Sequence, residues 1–213
     1  MLFTDFIKYI PKIAKEKLLS TDAHAKMAPL ERISYLNEEN YLNKNPRKAA
    51  VLMLFYPKNK MTHLALIVRN SYPGIHSSQI GFPGGKVEEF DINLEATALR
   101  ETHEEVGIHP EKVKIIKTFS EIYIPPSNFL VAPFMGISHE ELFFIPDLEE
   151  VKSVLEFSIA DFLDEKSITK VKMSTSYATD IEVPAFMVEK YVVWGATAMM
   201  MSELKETIKS ALL

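Results

Sequence analysis

The chain has 213 residues, 47% hydrophobic and 25% charged, with a formal net charge of −5 and no cysteine. That size suits one substantial domain, or a domain with an added arm. The missing cysteine excludes disulfides, thiolate catalysis and Cys-ligated zinc. The acidic balance argues against a nucleic-acid surface but not against a polyanionic small molecule neutralised by a bound metal.

In chain order, residues 3 to about 18 place Phe3, Phe6, Ile7, Ile10 and Ile13 at helical spacing, and Pro11 predicts a kink or a break into two pieces. This start lacks the layout of a signal peptide, and no apolar run approaches membrane-spanning length, so a cytoplasmic protein is expected. Residues 21–48 are polar, with Pro29 and Pro46, which predicts an N-terminal helical arm over 1–48 ahead of a main domain over 49–213. AAVLMLFYP (49–57) and HLALIVRN (63–70) read as strands joined by a hairpin turn. A loop over 71–86 precedes a helix from about Leu94 to Val106, closed by Gly107. Strands follow at 112–125 and 129–138, separated by PPSN. Residues 150–164 read as a strand giving way to a short helix, and two or three more strands lead to a C-terminal helix beginning near Trp194 and Gly195. The Met199–Met201 run is expected in the core, and His103, Tyr123 and Phe82 as packing residues. The pattern is that of a mixed sheet covered by helices.

The stretch GFPGGKVEEFDINLEATALRETHEEVGI, residues 81–108, carries the chemistry. At about 100° per residue, Glu101, Glu104 and Glu105 fall in one arc of roughly 100°, with Leu99, Thr102, His103, Val106 and Ala96 opposite. This predicts one face for packing and one for carboxylates. Acidity alone is accounted for by a solvated face, on which such repulsions cost only a few tenths of a kcal/mol. Two features point further: a Gly84-Gly85 pair upstream, and the order RExxEE closed by a glycine. Hard divalent cations take oxygen ligands, and Mg²⁺ combines a few carboxylates with water and substrate phosphates. No G-x4-G-K-[ST] occurs, which excludes a P-loop NTPase.

These residues resemble the Nudix box, G-x5-E-x7-R-E-U-x-E-E-x-G-U, with Arg100, Glu101, Glu104, Glu105, Gly107 and Ile108 at their motif positions. Asp91 stands where the first glutamate would be, the run from Gly85 to Arg100 is one residue longer, and Thr102 replaces an aliphatic residue. The coenzyme A pyrophosphatase branch is similar in that longer spacing, in the Asp, in TALRE (97–101), and in an upstream Arg and His before FPGG, here Arg69, His76 and residues 82–85. Asn70, Pro73-Gly74 and Ser78 depart from its upstream signature; IPPSNFLVAPF and VWGATAMMMSEL extend the likeness over most of the chain.

The resemblance implies an α/β Nudix-type α/β/α sandwich and a Mg²⁺- or Mn²⁺-dependent hydrolase of a nucleotide diphosphate. It implies coenzyme A or acyl-CoA as substrate, cut to 3′,5′-ADP and 4′-phosphopantetheine. Two alternatives stand beside it: another nucleotide diphosphate such as ADP-ribose or NADH, and a Nudix-fold binding or regulatory module without catalysis. The implied metal ligands are Glu101, Glu104, Glu105 and the Gly85 carbonyl, and any of the glutamates is open as the base. Arg100 is expected to pair with a carboxylate and orient it. Gly84 and Gly85 are expected to let the backbone approach metal and phosphates, or simply to form a tight turn. Asp91 is open between a helix N-cap and a brace for the loop. Arg69 and His76 are the implied substrate contacts, with Gly84. The implied partner is a small molecule, with neither nucleic acid nor membrane, and a homodimer is left open.

Overall fold

The computed structural model describes residues 1–70, 79–173 and 181–213. β1 (Arg47–Lys58) and β2 (Met61–Arg69) pair antiparallel through a two-residue turn. Asn59 and Lys60 both have positive φ there, 49° and 65°, the geometry whose twist matches paired strands. β1 changes partner along its length. Residues 55–58 lie against β2, whereas Ala49, Ala50 and Val51 pair with Lys86, Gly85 and Gly84 of β4 (Gly84–Lys86). β2 turns away to pair with β3 (Ile80–Gly81) and β8 (Val151–Ser158). On its other side β1 runs parallel to β7 (Phe129–Ile137), which also pairs antiparallel with β5 (Lys114–Thr118) and β6 (Ile122–Ile124). The eight-stranded sheet is therefore mixed, as expected.

Alternation along β1 and β2 builds a core on each face. Met53, Phe55, Leu64, Leu66 and Val68 face α1 (Phe3–Lys15) and α5 (Gly195–Leu212), where Phe6, Ile13 and Met199–Met201 are buried. Leu52, Leu54, Ala65 and Ile67 face α3 (Leu94–Val106), with Ala98 and Val106. α1 is a single helix with the exposed Pro11 inside it. The polar stretch after it forms α2 (Thr21–Ala25) and three short 3₁₀ turns. The strand expected over 112–125 is divided into β5 and β6, because Ser120 leaves the ladder to give its N–H and hydroxyl to the buried Glu203 carboxylate, at 3.0 and 2.6 Å. After α4 (Ile159–Leu163), the strands β9 (Ile168–Met173), β10 (Ile181–Val188) and β11 (Tyr191–Trp194) form a second antiparallel sheet leading into α5. Tyr123 and Phe82 are buried, whereas His103 is exposed.

Candidate active site

The site is built where β4 enters between the diverging β1 and β2. Gly84 has φ +152°, and a side chain there would run into the Ala50 carbonyl and Val51, so only glycine lets β4 lie so close to β1. A methyl on Gly85 would lie 2.5 Å from the Glu101 carboxylate. The glycine pair thus brings bare backbone against an acidic helix face. α3 starts at Asn93, whose side chain accepts the Ala96 N–H at 2.8 Å, and stops at Gly107, in the left-handed region at φ +74°.

The helix is rotated from the packing face expected above. Ala98, Thr102, Glu105 and Val106 form the buried stripe, and His103 points outward. Glu105 lies at the edge of that stripe and sinks because its carboxylate is received there. The three glutamates therefore differ in depth: Glu105 is 2% exposed, while the side chains of Glu101 and Glu104 are 13% and 56% exposed.

Two arginines divide the acids between them. Arg100 donates through Nε and Nη2 to the two Asp91 oxygens, both at 2.9 Å, a bidentate pair. Its Nη1 reaches Glu101 at 2.9 Å and Glu104 at 2.7 Å, and its Nη2 reaches the Lys86 carbonyl at 3.1 Å. Asp91 also accepts from the Thr97 hydroxyl and the Glu88 N–H, each at 2.9 Å. It braces the loop, and Asn93 takes the cap. The Arg100 guanidinium holds the Asp91 carboxyl well below the usual carboxylate range. At the other end of the helix, Arg69 Nη2 donates to Glu105 at 3.0 Å and to the Gly84 carbonyl at 2.9 Å, and the Gly84 N–H donates to Glu105 at 2.8 Å. Burial still outweighs these partners and pushes the Glu105 carboxyl up to about 7, with Glu101 and Glu150 adding repulsion. Burial likewise raises Glu101.

Arg69, Gly84, Gly85, Arg100, Glu101, Glu104 and Glu105 are thus gathered in one place, while His76 lies outside the described residues. The sequence reading missed two things. Glu150, from the segment entering β8, lies near enough for its charge to act on both Glu101 and Glu105; nothing in the residues around it signals this. Arg69, expected to meet substrate phosphate, holds a glutamate.

The donors suit a hard divalent cation in kind, being carboxylate and backbone oxygens. Among the described residues, no three carboxylate or imidazole groups already converge on one point. Arg100 gathers Glu101 and Glu104 on one nitrogen, and Arg69 holds Glu105 separately. The fit to a cation rests on the cradle of Gly85 against Glu101, and on a buried Glu105 whose ionised form needs more positive charge than Arg69 supplies.

A profile of the NUDIX domain matches residues 44–174. The Uncharacterized Nudix hydrolase NudL of Enterobacter sp. (strain 638) is 35% identical over 171 residues, covering 75% of this chain and 82% of the relative. Nudix hydrolase 22, chloroplastic, of Arabidopsis thaliana is 32% identical over 161 residues, 72% of this chain and 52% of the relative. Among solved structures, the Nudix hydrolase RenU from M. smegmatis aligns with a TM-score of 0.53 at 16% identity, covering 78% of this chain and 87% of that one. A MutT/nudix family protein from Enterococcus faecalis aligns at 0.51 and 15% identity, covering 89% and 73%. At such identities the likeness is one of fold. The glycine cradle, the acidic helix and these relatives together place the chain in the Nudix family, as a pyrophosphohydrolase of the kind that acts on nucleoside diphosphate derivatives, generally with divalent metal ions.

Proposed function

We propose that the enzyme hydrolyses the diphosphate of coenzyme A or acyl-CoA, releasing 3′,5′-ADP and 4′-phosphopantetheine. Mg²⁺ or Mn²⁺ would be held by Glu101, Glu104, Glu105 and the Gly85 carbonyl. The observation that carries the catalytic part is the buried Glu105 against Gly84, where a carboxylate is held ready for a cation. The substrate part is supported by FPGG, TALRE and the longer spacing to Arg100. Held by these residues, a divalent ion would supply charge neutralisation at the diphosphate and acidify water there. The chain's own residues do the rest. Arg69 fixes Glu105, Arg100 fixes Glu101 and Glu104, and the glycines admit the phosphates to the backbone. Little covalent help is needed, since such reactions depend on positioning and charge stabilisation.

ADP-ribose or NADH is the second substrate reading, favoured by the departures at Asn70, Pro73-Gly74 and Ser78. A non-catalytic module is disfavoured by the intact glutamate set. No helix among the described residues is long and apolar enough to cross a membrane. A cytoplasmic location and a small-molecule partner fit this reading, which leaves a homodimer open. The test is product analysis on coenzyme A, dephospho-coenzyme A, ADP-ribose and NADH, with Mg²⁺, with Mn²⁺ and in EDTA. Metal-dependent release of 3′,5′-ADP is expected; activity in EDTA, or a preference for ADP-ribose or NADH, overturns the reading.

A further inference from the structure

Arg69 is held on Glu105 and the Gly84 carbonyl, and Arg100 on Asp91, Glu101, Glu104 and the Lys86 carbonyl, so both arginines at the cradle serve its own acids. A second pair of cations stands at the start of β1. Arg47 is its first residue, and Ala49, two residues on, pairs with Lys86 of β4. Side chains two apart on a strand point to one face, as do those directly paired across strands. Arg47 and Lys86 are therefore diagonal neighbours on one face of the sheet, and both are exposed. That face is opposite α3, since Gly85, next to Lys86, meets Glu101 of α3. The fields of Glu101 and Arg47 both reach Lys86.

Arg47 is held in place without meeting an acid. Its backbone N–H donates to the Asn128 carbonyl at 2.9 Å and its Nη2 to the Ser127 carbonyl at 3.0 Å. The guanidinium lies over the ring of Phe129, its neighbour on β7, 4.1 Å from the ring centre. A stacked guanidinium has little freedom left to lose, and its flat fork suits phosphate. Among the described residues Arg47 pairs with no carboxylate. Lys86 has the exposed Glu88 at 2.8 Å, a pairing worth at most ~1 kcal/mol and readily exchanged for a dianion.

Distance and charge select what these cations meet. Ala50 pairs with Gly85, so Arg47 starts three residues, about 10 Å of strand, from the cradle. A group one ribose away from a diphosphate at the cradle falls at that offset, with Lys86 between the two. The cavity of about 760 Å³ between the N-terminal helices and β6 offers no rival place for it. Exposed Asp22, Glu38, Glu39 and Glu121 line that cavity and repel a dianion.

We propose that Arg47 and Lys86 form a clamp for the ribose 3′-phosphate of coenzyme A, and that this clamp sets a preference for coenzyme A over dephospho-coenzyme A. This rests on the coenzyme A reading above. Arg47 supplies a fixed pair of N–H donors and Lys86 a mobile point charge. The 3′-phosphate takes no part in the bond that breaks. A contact made equally in the ground and transition states appears in KM and not in kcat. Wild type is expected to favour coenzyme A roughly tenfold in kcat/KM, since exposure keeps a charged contact at the low end of its range.

The experiment measures kcat and KM for both substrates, with ADP-ribose as a third, on wild type, Arg47→Gln, Arg47→Lys and Arg47→Gln/Lys86→Gln. Both side chains are exposed, so the variants are expected to fold. Arg47→Gln should cut the preference to about threefold through KM for coenzyme A, Arg47→Lys should restore part of it, and the double substitution should erase it. Inhibition by 3′,5′-ADP should weaken roughly tenfold relative to inhibition by AMP in the double variant. Equal kcat/KM for the two substrates in wild type, or a preference that survives the double substitution, overturns the clamp while leaving coenzyme A hydrolysis intact. An equal fall on both substrates assigns the two cations to the shared diphosphate or to the fold, and overturns it as well. Wild type that cleaves ADP-ribose and neither coenzyme A nor its dephospho form overturns the coenzyme A reading, and the clamp with it.

Discussion

The two ends of α3 hold acids in opposite electrostatic condition. Toward the N-terminus, Asp91 meets Arg100 through two hydrogen bonds and is held ionised far below its usual range. Toward the C-terminus, Glu105 meets Arg69 through one, is almost wholly buried, and is pushed up to about 7. One end is a satisfied brace. The other is short of positive charge. A single short motif thus contains both a support and the site it supports, and only the second stands to gain from a cation.

The sharpest way to break this comparison is Glu105→Gln. On the proposed function, kcat at saturating Mg²⁺ is expected to fall by ~10²–10³-fold, the scale for removing one preorganised electrostatic group. A variant within a few-fold of wild type would make the C-terminal end another structural brace.

Next in size is the pH dependence of stability without metal. Glu105 is raised from an ordinary 4.5 to about 7, so its contribution is fully present below 4.5 and is lost as pH rises through 7. Urea melts in EDTA should lose on the order of 3 kcal/mol between those limits. Asp91 is shifted the other way, and its contribution is lost only as pH falls below its ordinary 3.8. Divalent metal should flatten the upper slope, and Glu105→Gln should remove most of it, leaving the smaller part that the raised Glu101 contributes. A flat metal-free profile from pH 4.5 to 7 contradicts the contrast between the two ends.

Asp91→Asn tests the brace directly. It replaces the two charged oxygens that Nε and Nη2 of Arg100 meet by one neutral amide oxygen and is expected to cost ~1–3 kcal/mol in urea melts. It should also slow turnover less than Glu105→Gln does, because Glu101 and Glu104 are displaced but not removed. The smallest effect is a ratio. Because Arg69 is held on Glu105 and Gly84, Arg69→Ala is expected to slow coenzyme A and dephospho-coenzyme A alike, with their relative kcat/KM changed by no more than about twofold. A selective loss on coenzyme A would move Arg69 from positioning Glu105 to gripping the extra phosphate.

What the sequence made legible was local. The hairpin between β1 and β2, the start of α3 near Leu94, its close at Gly107 and the need for bare backbone at Gly84-Gly85 all follow from residues near one another. The burial of Glu105 did not, because helical periodicity gives directions around an axis without saying which strand end lies beside them. Arg69 and Gly84 decide that depth, and both come from the sheet. The split between β5 and β6 escaped for a similar reason, since Ser120 is drawn off the ladder by Glu203, a residue of α5. Glu150 joins the site through a loop that carries no motif of its own.

The N-terminal helices are tied to α5 across most of the chain. Ser20 N–H donates to Glu203 at 2.7 Å, Ser202 to the Ala23 carbonyl at 2.7 Å, and Ser210 to Glu16 at 2.9 Å, the last joining residues 194 apart in sequence. During synthesis, α1 therefore emerges long before its partner exists. At ribosomal rates of ~5–20 residues per second, that interval is roughly 10 to 40 seconds. Through it Phe6 and Ile13, fully buried in the finished fold, lack the α5 side of their packing. Contacts of such long range form late and slowly. A chain cut before α5 keeps that apolar helix uncovered, which makes it a target for chaperones and proteases rather than a smaller enzyme.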